Sequence, residues 1–379
     1  MHSKRCLTAF TIIAAGACGA EREQPKRTDS LVPVSRAETV VDAADFQGRV
    51  PRLSGAAQPA DTLQVKRVLG DSMAFGAVTG IQPVGRHLFV TDRLMSKHLA
   101  LIDLPKGAVQ ARAGRDGQGP SEFRDPGAFI VESVSPPRSW VYDFQNRRLS
   151  LLAASADGEL AVERSRQFNV GESIEQPVRV GERFIANGLF NDYTLLVIDS
   201  AARPVQRIEA DQPFPARTMP HAVGRRLLNR SYLTAHPDGG RLALAYQWAS
   251  RIDFFSADGR RLGSVEGPRP TSAKYTVSGT RFHWDPQGQM AYTGIHSTRR
   301  YVYVMFCGCR EADDRDQRSQ RVHVFRWNGD FVSEIQLDRR VTAFAVSPDD
   351  AFLYAAITEP HPAVGEWELP AVLRAGAGT

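Results

Sequence analysis

From residue 61 to residue 379, short runs of β-branched and aromatic residues alternate with polar turns. His87-Leu88-Phe89-Val90-Thr91, Ser139-Trp140-Val141-Tyr142-Asp143, Tyr301-Val302-Tyr303-Val304-Met305-Phe306 and Arg321-Val322-His323-Val324-Phe325 read as strands, because such side chains suit a pleated surface. Beyond the first 18 residues no amphipathic helical stretch reaches 12 residues, which argues against a doubly wound α/β fold.

The turns between these runs recur in register. Pro105-Lys106-Gly107, Ala156-Asp157-Gly158, Ala257-Asp258-Gly259 and Trp327-Asn328-Gly329 close hairpins, and Ser200-Ala201-Ala202 is a weaker version. Asp-Gly and Asn-Gly suit such turns because they tolerate positive φ. A second signal is expected between the first and second strands of a unit. It occurs at His236-Pro237-Asp238-Gly239, Asp285-Pro286-Gln287-Gly288 and Ser347-Pro348-Asp349-Asp350, where proline presets φ at the first corner.

A repeat of this length indicates stacked or radial units. Five hairpin signals and a last unit from Val341 give six units of about 53 residues, the size of a four-stranded propeller blade. Seven shorter blades also fit the length. The expected blades are residues 73–112, 123–167, 170–210, 223–265, 275–337 and 341–373. The strand at Thr62-Leu63-Gln64-Val65-Lys66-Arg67-Val68 is expected to complete the last blade, closing the ring and removing its open edges. The fold class is therefore all-β, a six-bladed β-propeller of four-stranded antiparallel blades.

Between the first two units lies Gly114-Arg115-Asp116-Gly117-Gln118-Gly119-Pro120-Ser121-Glu122-Phe123. Its glycines and proline exclude a helix or a central strand and require a shaped loop. This loop resembles the Gly-x-Gly-Pro-Gly-Glu-Phe element of bacterial TolB-like six-bladed propeller lipoproteins, with Ser121 in place of the usual glycine. Gly114, Gly117, Gly119, Pro120, Glu122 and Phe123 carry the match. Trp140-Val141-Tyr142-Asp143-Phe144-Gln145-Asn146-Arg147-Arg148-Leu149 and Asn187-Gly188-Leu189-Phe190-Asn191-Asp192-Tyr193 are similar to that family's second- and third-blade segments. The resemblance implies fold and location and brings no activity with it.

The amino terminus reads as an address. Lys4 and Arg5 precede an apolar run from Leu7 to Ala17, then Ala15-Gly16-Ala17-Cys18. The layout is that of a secretory signal, too short to span a membrane. It resembles a bacterial lipobox, with Ala15 where leucine is usual, so Cys18 is the expected site of lipid attachment. The alternative is a simple secreted protein in which Cys18 is incidental. Residues 1–18 are thus assigned to the signal, 19–60 to a polar flexible tether and 61–379 to the propeller. Acyl chains on Cys18 would hold the protein at the bacterial cell envelope, facing the periplasm or the cell surface. No later stretch reaches 18 apolar residues.

Composition adds limits. The formal net charge of +5 is spread through pairs such as Arg225-Arg226, Arg260-Arg261, Arg299-Arg300 and Arg339-Arg340. Nucleic-acid binding would favour a concentrated basic stripe, so no nucleic-acid partner is expected.

Cys307-Gly308-Cys309 is the only local cluster with reactive potential. Three readings stay open: a disulfide between Cys307 and Cys309, two free strand thiols, or a metal or redox site with His323 on the neighbouring strand. The charged stretch Glu311-Ala312-Asp313-Asp314-Arg315-Asp316-Gln317-Arg318-Ser319 lacks the glycine and terminal glutamate of a calcium loop and reads as a solvated hairpin tip. Asp143, Asp199 and Asp253 read as turn caps. The spacing of the nine histidines forms no His-x-x-x-His pair, and neither a nucleophile elbow nor a phosphate loop is present.

No catalytic residue, metal ligand or cofactor is assigned. The expected function is a lipid-anchored binding or scaffold module, monomeric, for a protein, peptide or glycan at the envelope. The alternative is a calcium- or zinc-assisted hydrolase, lactonase or lyase, whose carboxylates and histidines would converge on the propeller axis from different blades.

Overall fold

The computed structural model describes residues 46–53, 62–70 and 74–374, apart from 156, 169, 279–280, 311 and 313–318. These fall within one compact unit, Val40–Thr379. The signal residues, Cys18 and most of the charged stretch after Arg310 lie outside the described residues.

Two short strands come first, β1 (Thr62–Leu63) and β2 (Arg67–Leu69). Blade one follows with β3 (Val78–Val84), β4 (His87–Asp92), β5 (Lys97–Asp103) and β6 (Ala108–Asp116), plus a short β7 (Glu122–Phe123) parallel to β6. Blade two is β8 (Pro126–Ser133), β9 (Arg138–Asp143), β10 (Arg148–Ala154) and β11 (Leu160–Gln167). Blade three is β12 (Ile174–Val180), β13 (Arg183–Gly188), β14 (Leu195–Ile198) and β15 (Pro204–Ile208). A short helix α1 (Ala222–Leu228) leads into blade four, β16 (Ser231–Ala235), β17 (Arg241–Tyr246), β18 (Arg251–Ser256) and β19 (Arg261–Glu266).

A separate hairpin, β20 (Tyr275–Ser278) and β21 (Arg281–Trp284), precedes blade five. That blade is β22 (Tyr292–Ser297), β23 (Tyr301–Phe306), β24 (Ser319–Arg326) and the first half of β25 (Phe331–Val346). The second half of β25 turns the corner and pairs with β26 (Phe352–Ile357), which pairs with β27 (Ala363–Glu368). A last turn, α2 (Ala371–Arg374), ends the described chain.

Blade six gains its fourth strand from the other end of the chain. β2 pairs antiparallel with β27, matching Arg67 to Glu366 and Leu69 to Val364. β1 runs parallel to β25 at Gln336 and Leu337. The incoming segment therefore bridges blades five and six, and the outer edge of β27 is covered. Residues 46–53, within the stretch expected as tether, also pack on the ring. Gln47 and Gly48 donate backbone N–H to Asn328 O at 2.9 and 3.1 Å, and Leu53 donates to Pro268 O at 2.9 Å. The Phe46 ring lies 5.6 Å from that of Phe254 and occupies the space that a side chain at Gly263 or Gly329 would need.

Among the described residues the core comprises seven clusters, six of them lying one between each pair of neighbouring blades. Phe89, Leu101, Val141 and Leu152 join blades one and two. Trp140, Tyr142, Phe184 and Leu196 join two and three, and Val197, Leu233 and Leu244 join three and four. Phe254 and Val304 join four and five, and Tyr303, Val324, Leu353 and Trp367 join five and six. Leu88, Val90, Tyr354 and Val364 close the circle between six and one. Successive residues of a strand point to opposite faces. In β4, Leu88 and Val90 face blade six while Phe89 faces blade two. Both faces are covered, so the middle strands read as unbroken apolar runs rather than alternating ones.

Two expectations need correction. The turn at Asp285-Pro286-Gln287-Gly288 does not link the first two strands of blade five. It follows the extra hairpin, and the innermost strand starts only at Tyr292. The blade five limit at residue 275 and the blade four limit at residue 223 are therefore early, because inserted local structure there carries turn signals of the same chemistry as the repeat.

Candidate functional site

Six strands lie innermost: β3, β8, β12, β16, β22 and the second half of β25. Each is paired on one side only and turns its free backbone edge toward the axis. Together they enclose a channel of about 1140 Å³. Its middle is lined by Ile81, Gln82, Phe129, Gln176, Leu233 and Phe344, a mixture of aliphatic, aromatic and neutral polar groups.

Three charged residues stand at the mouth where the inner strands begin. Asp125 stands just before β8, Glu175 is the second residue of β12, and Arg230 stands just before β16. Arg230 Nε lies 2.8 Å from Glu175 Oε1. The glutamate side chain is only 12% accessible and the arginine 41%, so the guanidinium is the member that meets the lumen. Burial pushes the Glu175 carboxyl upward and Arg230 pulls it back. Burial likewise raises Asp125, opposed by the positive charge of Arg93. The Tyr232 hydroxyl, two residues after Arg230 and within β16, is pushed up by burial. The backbone N–H groups of Arg124 and Asp125 donate to the buried Asp143 at 2.7 and 3.2 Å, which fixes the loop that carries Asp125.

Helix α1 ends two residues before Arg230, so it stands at this mouth. The extra hairpin packs with it into an aromatic cap. Trp248 and Trp284 stack at 4.1 Å, and Phe282, Tyr275 and Phe214 complete the cluster around Met219, Leu228 and Met290. The opposite mouth also carries ion pairs. Arg179 bonds Glu132, and His236 holds Asp238 at 2.5 Å while its other ring nitrogen contacts Arg299 O at 2.9 Å. Among the described residues no group of three or more His, Cys, Asp or Glu side chains is placed to hold a metal ion. No helix among them is long and apolar enough to cross a membrane.

The glycine loop turns its chemistry inward. Glu122 accepts the Gly119 N–H at 2.8 Å and the Arg115 Nε–H at 2.7 Å. Arg148 donates to Gln118 O at 2.9 Å and to Glu122 O, and Asn146 donates to Gly117 O at 2.9 Å. Phe123 is fully buried between blades one and two. The loop is a stitch between blades, not part of the channel wall. Cys307 and Cys309 are joined by a disulfide, with Cα atoms 5.0 Å apart. His323 does not turn to the cysteines: its Nε2 meets Glu334 at 3.0 Å and its ring stacks on Phe306 at 4.6 Å. Asp143 and Asp199 accept turn N–H groups, whereas Asp253, expected as a turn cap, is buried within β18 and binds the Arg251 side chain at 2.7 Å and the Tyr246 hydroxyl at 2.9 Å.

Sequence reasoning missed Asp125, Glu175 and Arg230. They come from three blades and share no local motif. The one available signal is that they recur at about the repeat length, just where each inner strand begins.

A family model described as TolB-like 6-blade propeller-like matches residues 81–349. The chain belongs to this TolB-like family. Comparison with curated proteins finds no match. Among solved structures, the RRP9 WD40 repeats align with a TM-score of 0.48 at 9% identity, covering 80% of this chain and 97% of that one. The β-propeller domain of Myceliophteria thermophila Cps50 (Swd1) aligns at 0.45 and 10% identity, covering 81% and 99%. U3-55K aligns at 0.45 and 10%, covering 80% and 98%.

Proposed function

We propose that this TolB-like propeller is a binding module, exported and anchored through Cys18, that receives a protein, peptide or glycan partner at the cell envelope. Propellers commonly serve as interaction or scaffold modules, but fold alone does not name a function. The observation that carries the reading is the polar mouth of the channel, where Arg230, Glu175 and Asp125 stand beside an aromatic cap. A concave site with a few convergent polar groups in an apolar wall is the usual form of a ligand pocket.

The test separates site from address. Peptide and glycan arrays probed with the soluble ring should give hits that Arg230→Ala and Asp125→Asn weaken by about tenfold or more, a loss of about 1.4 kcal/mol. Hits that survive both substitutions would place the binding surface elsewhere. Incorporation of labelled fatty acid that disappears in Cys18→Ala would support the anchor, and incorporation that persists in the variant would remove Cys18 as the attachment point.

A further inference from the structure

We propose that Cys307-Gly308-Cys309 is a thiol–disulfide exchange site whose substrate is a cysteine-bearing polypeptide. The bond joins no two elements of the fold. Both cysteines lie on one segment that continues β23, and backbone hydrogen bonds already hold that segment. Cys307 N donates to Ala291 O at 2.8 Å, Met290 N donates to Cys309 O at 2.9 Å, and Gln289 bridges to Arg310. A disulfide stabilises mainly by closing a loop in the unfolded chain, and the gain grows with the length of that loop. Here the loop contains a single residue between the cysteines. The fold therefore has little use for this bond as a staple.

The local geometry suits exchange. Gly308 takes φ +60, and that left-handed turn brings the two Cα atoms to 5.0 Å, where an extended segment would hold them near 7 Å. Cys307, Gly308 and Cys309 are all partly exposed, whereas the strand before them is buried throughout. Exposed disulfides are the ones open to attack. Cys309 borders the aromatic cap of Trp248, Trp284 and Phe282, an apolar wall for the flanks of a partner's cysteine. On the other side Arg310, next in the chain, is exposed and donates to Gln287 Oε1 at 2.7 Å.

The chemistry balances without a cofactor. A partner thiolate attacks one sulfur, forms a mixed disulfide and expels the other sulfur as a thiolate. A second partner thiolate then attacks the mixed disulfide. The partner loses two electrons and its two thiol protons as it forms its own disulfide. Cys307 and Cys309 gain the two electrons and take up two protons as thiols. The reverse sequence reduces a partner disulfide.

The experiment uses the full chain with Cys6→Ser and Cys18→Ser, so that only this pair is read. Equilibrated with mixtures of reduced and oxidised glutathione, the pair should pass from disulfide to dithiol within the range that glutathione sets, scored by the mass shift of maleimide-blocked thiols. Thermal unfolding of the oxidised and reduced forms should coincide. With Cys309→Ser added, the Cys307 thiolate should attack a peptide supplied as a disulfide and accumulate as the mixed disulfide, expelling the peptide's other sulfur as a thiol. A pair that resists glutathione and yields only to a strong dithiol reductant would overturn the proposal. So would a reduced form that unfolds at clearly lower temperature, or a Cys307 thiol that captures no peptide. The outcome does not depend on where the protein resides or on what its channel binds.

Discussion

Glu334 sits with Arg269 and His323 at the interface of blades four and five, and its environment decides its charge. Burial alone would raise its carboxyl, but hydrogen bonds from Arg269 at 2.6 and 2.7 Å and from His323 hold it down at about 2. The carboxylate thus contributes stability that is present above its ordinary range and is lost only as pH falls toward 2. Glu334→Gln leaves a buried guanidinium without its counter-charge. It should cost about 3–5 kcal/mol, measured as a shift in the urea unfolding midpoint. His296 shows the opposite case. Burial pushes its imidazole down to about 4, and its Nδ1 accepts the Val346 N–H at 3.2 Å. The folded chain then binds the proton less readily than the unfolded chain between about 6.5 and 4, so stability should fall as pH drops through that window. His296→Gln should remove about 1–3 kcal/mol of that acid-dependent loss, and an unchanged pH profile would exclude His296 as its cause. Gly114 has φ +72, and a Cβ there would come within 2.6 Å of the buried Phe123 ring. Gly114→Ala should destabilise by about 1–3 kcal/mol, read from the same midpoint.

The ring depends on strands that belong to no local hairpin. β2 completes blade six across almost the whole length of the chain, and residues 46–53 fasten onto blades four and five. Removing residues 1–69 uncovers the edge of β27, which then offers unpaired N–H and C=O groups to another copy. The shortened chain should elute as aggregates on size-exclusion chromatography, and a stable monomer would show that the edge needs no cover. Phe46→Ala tests the other contact, with an expected loss of about 1–3 kcal/mol because the ring packs against Phe254 across the blade interface. The middle strands and their hairpin turns were legible because each turn needs positive φ at a fixed place, as at Gly107, Gly158, Gly259 and Gly329. The extra hairpin β20–β21 was not separable from the repeat. Its turn residues obey the same local chemistry, and only pairing shows that it stands apart from blade five.

At the scale of the whole molecule, the six interblade clusters are mutually dependent, since each blade supplies one face to each neighbour. A closed ring of this kind should unfold as one cooperative transition, with fluorescence and circular dichroism giving coincident curves. The sequence by itself determined the repeating unit and the strand that closes the ring, because strand propensity and turn chemistry act between near neighbours; its length favoured six blades but also fitted seven, and the pairing of the strands settled six. It also identified the glycine loop, whose φ values and tight contacts only glycine meets. The channel mouth was decided by tertiary structure alone. Asp125, Glu175 and Arg230 meet because the ring brings the starts of three inner strands to one axis. Burial raises the Asp125 carboxyl against the pull of Arg93 and Arg230 on other blades, and Glu175 is paired with Arg230 of the next blade. Such effects act through space, and no spacing along the chain encodes them.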